Sequence, residues 1–270
     1  ADGGYHNFAN GLKWGPDGWL YGANGSTTVG DVSSEVSKGV RFQGQCIWRY
    51  HPNSKEFEIY AEGGGNTFSL EIDSQGRVFS GTNGGNTRGW YYPQGSYSAK
   101  NWGKHGPLTN PYALGFFGPM KFEGDARRFA QAFCIYEGGL LSDEYDGTIV
   151  APNALHNLVW NSERIPHGST YRTTDNPNLI DTTDRWFRPV YGGVGPDGAI
   201  YLADWYDSRL SHVSPTDDWH KESGRIYRIA PKNVTPRYTE GDLEEKTSQE
   251  LISLFSHTNK WIRQRAAMVL

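Results

Sequence analysis

The sequence predicts an all-β protein of the propeller type, because one turn-and-strand motif recurs along it and the composition suits strands rather than helices. The 270 residues include 34 Gly, 16 Tyr, 12 Phe and 10 Trp but only 2 Met. That balance is typical of tight turns and aromatic-rich strands. A β-sandwich is the less favoured alternative, since its turns come every ~8–12 residues without a longer period.

Four segments share a tight turn that leads into an apolar strand. They are Gly15–Tyr21, Asp73–Phe79, Tyr145–Val150 and Gly195–Tyr201. Their aligned glycines recur about every sixty residues, which is the spacing of a structural repeat. In such a turn Asp accepts local backbone hydrogen bonds and Gly supplies a positive φ. We therefore predict four recognisable blades, of which the third is the weakest match.

Apolar runs between these turns predict further strands at 46–50, 57–60, 158–160 and 225–229. A repeat of four short strands that includes one such hairpin is a propeller blade. The segment 90–117 is rich in Gly, Tyr, Asn and Pro, and it predicts a long loop that shapes the mouth of the channel.

The pattern changes after residue 235, so we predict a propeller over 1–235 and a helical segment over 236–270. Thr247 and Glu250 have the spacing of a capping box, and the apolar positions from Trp261 to Val269 suit a second helix. Four blades lie at the low end for a closed ring. We therefore expect an incomplete propeller that is closed by the rest of a parent protein or by a second copy in a homodimer.

Charge and hydropathy exclude two classes of partner. The net charge is −4 and the chain has no run of Lys and Arg, so nucleic acid is not expected. Its apolar stretches are far shorter than the ~20 residues of a bilayer span, and no export signal is visible. Cys46 and Cys134 could form one bridge, but two buried thiols are the favoured interpretation.

One histidine stands out as a candidate base. His6 lies just before the first repeat turn, where we expect the chain to reach the channel mouth. Because an imidazole has an ordinary pKa of ~6.5, His6 could act as a general base at neutral pH. The alternative is a structural or surface histidine.

A family resemblance is carried by His6, the first and last repeat turns, and the two segments that flank the last turn. The flanking segments are Trp186–Val190 and Gly224–Ile229. Together these motifs resemble the soluble glucose/sorbosone dehydrogenase-like propeller family over about residues 5–230. The nearest branch is the planctomycete and verrucomicrobial membrane-bound dehydrogenase proteins, in which HEAT-type helices follow the propeller, often with a cytochrome c domain.

The resemblance implies a six-bladed propeller, a HEAT-like repeat from Thr247, and a periplasmic or extracellular location. It also implies a sugar or polyol dehydrogenase in which His6 takes the hydroxyl proton as hydride leaves. The expected cofactors are pyrroloquinoline quinone, with Arg188 against a quinone carboxylate, and calcium. The calcium loop of the family corresponds to Asn83, Gly84 and Gly85, although a Gly-rich loop with Asn oxygens is equally an ordinary loop.

Three positions depart from the family pattern. The family has an Arg-Asn pair where this chain has Gly65 and Asn66. His156 occupies the position of a cofactor lysine, and Trp186 that of a second cofactor arginine. Quinone binding at Asn66, His156 and Arg188 is therefore an expectation that rests on an incomplete set of cations.

The remaining candidates are substrate contacts at the channel rim. Trp186 and Trp205 could stack on a sugar ring, and Asp204 could bind a hydroxyl. The alternatives are blade core for the tryptophans and a satisfied turn carboxylate for Asp204. Two other functions stay open, namely a calcium-dependent hydrolase or lactonase and a non-catalytic module that binds carbohydrate or protein.

Overall fold

The structure is a computed structural model that describes residues 9–26, 28–66, 68–84, 86–100, 107–128, 132–208, 220, 222–235 and 237–270. Within these ranges the chain is mostly β, with twenty strands and two short α-helices. This confirms the predicted all-β class, while the number of blades stays a prediction. The chain divides into two compact units, which are Ala1–Ala132 with Ile165–Thr173, and Phe133–Arg164 with Thr174–Leu270.

The first unit contains three sheets. Its strands are β1 (Asn10–Trp14), β2 (Leu20–Asn24), β3 (Val29–Val32), β4 (Val40–Gln43), β5 (Cys46–Tyr50), β6 (Phe57–Gly64), β7 (Glu71–Ile72), β8 (Val78–Ser80), β9 (Trp90–Tyr92), β10 (Ser96–Lys100), β11 (Gly115–Phe116) and β12 (Lys121–Glu123). One sheet has the order β1-β2-β5-β6-β10-β11, another pairs β3 with β4, and the third has the order β7-β8-β9. The β10 strand runs parallel to β6 and β11.

The second unit contains most of the remaining strands and both helices. The elements in chain order are β13 (Cys134–Ile135), β14 (Ile149–Asn153), β15 (Leu158–His167), β16 (Thr170–Asp175), β17 (Ile180–Asp181), β18 (Pro189–Val194), β19 (Ile200–Asp204), β20 (Arg225–Ile229), α1 (Ser248–Ser253) and α2 (Lys260–Val269). The tip of the β15–β16 hairpin, Ile165–Thr173, is part of the first unit. An antiparallel sheet of order β18-β19-β20 carries the last repeat turn.

The strands predicted at 46–50, 57–60, 158–160 and 225–229 are all present. The loop predicted over 90–117 is wrong in part, since the segment contains β9, β10 and β11. In β10 the side chains of Ser96 and Ser98 are buried while that of Tyr97 is partly exposed. This period-2 alternation is a strand pattern, and the polarity of its serines hid it.

The repeat turn has the structure that its residues predict. Gly18, Gly76, Gly147 and Gly198 have φ between 72° and 79°, a region that glycine enters without steric cost. In the last repeat the Asp197 carboxylate accepts hydrogen bonds from the Ala199 N–H at 3.1 Å and the Tyr201 hydroxyl at 2.9 Å.

The first repeat repeats this bonding pattern. Asp17 accepts hydrogen bonds from the Trp19 N–H and the Tyr21 hydroxyl. An arginine from a neighbouring strand completes each site, Arg49 against Asp17 and Arg228 against Asp197. The recurring aspartate therefore ties the turn to its own strand and to a second one.

The pH dependence of stability follows from one of these aspartates. Burial would raise the pKa of Asp197, but hydrogen bonds from Arg228 and Tyr201 outweigh it and lower that pKa below its ordinary value. A lowered carboxyl pKa stabilises the fold above the unfolded-state pKa of ~3.9, and this contribution is lost as the pH falls through the folded-state value. Asp197→Asn should therefore unfold at lower urea concentration than the wild type at pH 7, and the difference should narrow at pH 3.

Asp146, from the weakest repeat, provides a control of opposite sign. Burial and the nearby Glu137 carboxylate raise the pKa of Asp146, so its charged form costs stability at neutral pH. Asp146→Asn should unfold at the same or higher urea concentration than the wild type at pH 7. If both variants lost the same free energy of unfolding relative to the wild type, and lost it equally at pH 7 and at pH 3, this account of the turns would be contradicted.

The helical segment begins as the sequence predicts and packs on the second unit. Thr247 and Glu250 form a capping box at the start of α1. Leu251 is buried beside Leu243 and Ala266, whereas Phe255 is 43% exposed. Asn259 at the start of α2 donates to the Gly195 carbonyl at 2.9 Å. None of the helices among the described residues is long and apolar enough to cross a membrane.

Both cysteines are buried free thiols, as the favoured interpretation expects. Cys46 lies in the first unit beside Glu62. Burial, with a smaller contribution from the Glu62 charge, raises the pKa of the Cys46 thiol to about 12. The thiol is therefore protonated at neutral pH.

Candidate functional site

The candidate residues from the sequence fall into three groups. His6 and Gly85 lie outside the described residues. Asn66, Asn83 and Gly84 belong to the first unit, and the other five belong to the second. Those five are His156, Trp186, Arg188, Asp204 and Trp205.

In the second unit, the segments before β18 and after β19 run side by side. The Trp205 N–H donates to the Arg188 carbonyl at 3.0 Å, and the Asp207 N–H donates to the Trp186 carbonyl at 2.9 Å. Asp204 Oδ1 accepts from the Arg188 N–H at 2.7 Å. Four of the candidate residues are therefore brought together at one end of the β18-β19-β20 sheet.

Three residues that the sequence did not single out extend this arrangement, and one of them, His220, lies edge-on to Trp186 with ring centroids 6.4 Å apart. Tyr206 stacks on Trp186 with ring centroids 5.9 Å apart, and the Arg225 guanidinium lies 3.9 Å above the Tyr206 ring. Arg225 is the first residue of β20 and pairs with Asp204. The sheet-end cluster comprises Trp186, Arg188, Asp204, Trp205, Tyr206 and Arg225.

The backbone of Tyr206 marks the cluster as a conformationally costly site. Its φ is 53°, in the left-handed region that few bulky residues adopt. Asp204 Oδ1 accepts a hydrogen bond from the Tyr206 N–H at 2.8 Å, which holds the residue in this conformation. Residues in such conformations cost on the order of 1–3 kcal/mol and concentrate at binding and catalytic sites.

The two carboxylate oxygens of Asp204 have different surroundings. The residue is 4% exposed, and Oδ1 accepts the two backbone N–H groups, as the turn interpretation expects. Oδ2 is buried and accepts no further hydrogen bond of standard geometry from a described residue. The Tyr227 hydroxyl is its neighbour, since burial, then the negative charge of Asp204 and a side-chain hydrogen bond to that carboxylate raise the pKa of Tyr227. The Asp204 carboxylate is therefore held inside the cluster by the protein's own donors.

The Arg188 guanidinium is engaged by the protein itself. The residue is 6% exposed, and its Nε donates to the Asp207 carbonyl at 2.7 Å. Its Nη1 donates to the Ala154 carbonyl in the loop that also carries His156. Arg188 therefore ties the sheet-end cluster to the β14–β15 loop, and these two nitrogens are not available to grip a cofactor carboxylate.

In the first unit, the space beside Gly65 is already filled. A Cβ at position 65 would lie 1.5 Å from Thr82 Oγ1 and 3.2 Å from the Trp90 ring. Asn66 is buried, and its Oδ1 accepts from the Ser26 hydroxyl at 2.7 Å. No arginine can replace Gly65 unless Thr82 moves, which gives a packing reason for this departure from the family pattern.

In the predicted calcium loop, the Asn83 side-chain oxygen is already hydrogen-bonded to another residue of the protein. Asn83 Oδ1 accepts a hydrogen bond from the Arg128 guanidinium, so a cation would have to displace a positive group. Among the described residues, no group of three or more His, Cys, Asp or Glu side chains could hold a metal ion. Calcium at Asn83, Gly84 and Gly85 stays a prediction.

The described residues do not fit pyrroloquinoline quinone in the way that the family resemblance implies. That quinone carries three carboxylates, which need cationic or hydrogen-bonding partners. Of the matched positions in the described ranges, Gly65 and Trp186 are uncharged and two Arg188 nitrogens bind backbone carbonyls. His156 and Asn66 are the remaining matched positions, and neither is a permanent cation.

Comparisons with known proteins give a family and a fold. The model of the family described as "Domain of unknown function (DUF7133)" matches residues 1–233. The fold is similar to that of a Thermus thermophilus protein assigned as an oxidoreductase (glucose dehydrogenase), with a TM-score of 0.51 and 18% identity over 83% of this chain and 66% of that one. No curated protein sequence matches the chain significantly.

A second structure has a lower similarity score. It is the PQQ-bound aldose sugar dehydrogenase from Streptomyces coelicolor, with a TM-score of 0.45 and 18% identity over 83% of this chain and 62% of that one. The chain thus spans slightly less than two thirds of the length of these two dehydrogenases.

Proposed function

The chain belongs to the DUF7133 family, and on that premise we propose that it is a sugar- or polyol-binding protein built on a dehydrogenase-type propeller. The observation that carries this proposal is the sheet-end cluster, in which the stacked Trp186 and Tyr206 rings and the half-exposed Trp205 lie beside a carboxylate and an arginine. The ligand is a small neutral molecule with several hydroxyl groups.

The chemistry of the cluster suits such a ligand. A sugar ring has an apolar face that packs on an aromatic ring and hydroxyls that donate to carboxylates. Trp205 is 52% exposed, so a ring surface is open to solvent beside the Trp186–Tyr206 stack. Arg225 and Asp204 add hydrogen-bonding groups that suit the hydroxyls of such a ligand.

Sugar or polyol dehydrogenation is the second part of the proposal. The similarity of fold to the Thermus protein supports it, and His6 is the proposed base that takes the hydroxyl proton. Quinone and calcium binding, six blades, a HEAT-like repeat, a cytochrome c partner and a periplasmic or extracellular location remain proposals from the family resemblance. Domains at 1–235 and 236–270 remain a proposal from the change in sequence pattern, and homodimerisation a proposal from the number of recognisable blades. No contact among the described residues favours a calcium-dependent lactonase over these.

Titration of a panel of aldoses and polyols by calorimetry tests the binding proposal. Trp186→Ala should weaken the tightest-binding sugar at least about tenfold, a ratio that corresponds to ~1.4 kcal/mol, because it removes one ring of the stack. Trp261→Ala is the matched control, since Trp261 is 36% exposed in α2 and is not part of the cluster. Equal affinity of the wild type and Trp186→Ala would contradict the proposal.

Dehydrogenation is tested separately, by dye reduction with the same sugars, with and without added quinone and calcium. Activity that is absent in His6→Ala would support His6 as the base. Sugar binding without dye reduction in either condition would support the sugar-binding proposal and contradict the dehydrogenase proposal.

A further inference from the structure

A groove in the first unit has no role in the function proposed above. It consists of two cavities of about 490 and 240 Å³ that share Glu58, Ile59, Asn110 and Tyr112 among their lining residues. Its lining comes from residues 37–41, 56–59, 94–95, 109–112 and 114. The larger cavity falls within the ~300–1,000 Å³ of small-molecule sites. We call it the Tyr112 groove.

An exposed tyrosine lines both cavities. Tyr112 is 75% exposed, yet its backbone is firmly held. The Tyr112 N–H donates to Asn110 Oδ1 at 3.0 Å, and the Leu114 N–H donates to the Gly95 carbonyl at 2.7 Å. The ring is therefore presented to solvent on a loop with fixed hydrogen bonds.

A buried carboxylate anchors the same loop. Glu62 is fully buried and accepts from the Thr109 N–H at 2.8 Å and from the Asn110 N–H at 2.7 Å. It also forms an ion pair of 2.7 Å with Lys100. Binding surfaces depend on support of this kind, because a ring held in advance loses less conformational entropy when a ligand stacks on it.

The groove combines apolar and polar surface. Phe57, Ile59 and Val40 line the larger cavity, and Leu114 lines the smaller one. Asn110 and Glu58 supply polar groups to both. Apolar faces with hydroxyl-binding groups at their edges match the two sides of a sugar ring.

The charges around the groove balance. Two basic and two acidic residues line the larger cavity, namely Lys38, Arg41, Glu56 and Glu58. Arg41 is paired with Asp31 at 2.8 Å, and Glu58 with Arg49 at 2.6 Å. A groove without net charge has no electrostatic preference for an acidic or a basic ligand.

We propose that the Tyr112 groove binds a neutral polysaccharide, with sugar units of one chain in the two cavities that share Tyr112. Two cavities with a shared exposed ring suit a chain rather than a single sugar. This site is separate in its residues from the sheet-end cluster, so it does not depend on the function proposed above.

Affinity electrophoresis of the 270-residue chain tests the proposal, in gels that contain amylose, a β-1,3-glucan, xylan or galactomannan, with anionic polygalacturonate as a further gel. We expect at least one neutral polymer to retard the wild type. Tyr112→Ala should abolish the retardation and Tyr112→Phe should keep it, because stacking needs the ring and not the hydroxyl. Tyr191→Ala is the matched control, as Tyr191 is 50% exposed in the second unit.

Three results would overturn the proposal. They are no retardation by any neutral polymer, retardation by polygalacturonate alone, and equal retardation of the wild type and Tyr112→Ala. Trp186→Ala should be retarded like the wild type, so the outcome is distinguishable from failure of the sheet-end cluster to bind small sugars. Circular dichroism of each variant establishes that it is folded.

Discussion

Replacing Glu62 with alanine is expected to lower the free energy of unfolding by about 3–5 kcal/mol, the usual cost of removing one partner of a buried ion pair. Glu62 and Lys100 have side chains that are 0% and 5% exposed. The variant leaves the Lys100 ammonium without its carboxylate and removes the acceptor for the Thr109 and Asn110 N–H groups. Urea unfolding monitored by tryptophan fluorescence measures the loss.

Two further variants isolate the cause of that loss. Glu56→Ala should change stability by less than about 0.5 kcal/mol, because Glu56 is an exposed surface residue. Glu62→Gln with Lys100→Met should be less destabilised than Glu62→Ala, since it removes both charges and keeps an acceptor for the loop. A Glu62→Ala variant as stable as Glu56→Ala would refute the buried network.

Gly65→Ala is expected to destabilise the fold by about 1–3 kcal/mol, the range for overpacking a filled site. The new methyl group would lie 1.5 Å from Thr82 Oγ1 and 2.7 Å from Thr82 Cβ, and Thr82 is buried. Thr82→Ala in the Gly65→Ala background should recover part of the loss, because it removes the closer of these atoms. The urea concentrations at the unfolding midpoints of Gly65→Ala and of the double variant measure this recovery.

Gly84 provides the matched glycine for this test. A Cβ at Gly84 would meet its nearest atom at 3.7 Å, so Gly84→Ala should cost no more than a few tenths of a kcal/mol. If Gly65→Ala proves as stable as Gly84→Ala, the position is open and an arginine there is not excluded by packing. Gly65→Arg should likewise fail to create quinone binding, since Thr82 and Trp90 occupy its space.

Local chemistry made much of the fold predictable. The repeat turns depend on an aspartate and a glycine within five residues of each other, and Gly18 and Gly198 both have φ of 79°. The capping box of Thr247 and Glu250 has the same local character. Features of this kind can be recognised in a single sequence because the interacting groups are neighbours in the chain.

The parts that sequence did not reveal depend on distant pairs. Glu62 contacts Asn110 across 48 positions of the chain, and Gly65 is constrained by Thr82 and Trp90. Arg188 matches a family position, yet its Nε is taken by the Asp207 carbonyl. A motif gives the identity of such a side chain, whereas the folded chain decides what its donors bind.

In the sheet-end cluster, too, some residues could be predicted from the sequence and others could not. Trp186, Asp204 and Trp205 were candidates from the sequence because aromatic and acidic residues flank the last repeat turn. Tyr206 and Arg225 were missed, since their contacts arise from the left-handed backbone at Tyr206 and the pairing of β19 with β20. A bulky residue held at positive φ has no sequence signal of its own.

The measurement that tests sugar binding most directly is a crystal structure of the chain with the tightest-binding sugar or polyol from the titration. We expect the sugar ring to pack on the Trp186 or Trp205 ring of the sheet-end cluster, with its hydroxyls bound by polar groups of the same cluster. A sugar that is bound elsewhere, with the sheet-end cluster empty, would contradict the proposed function.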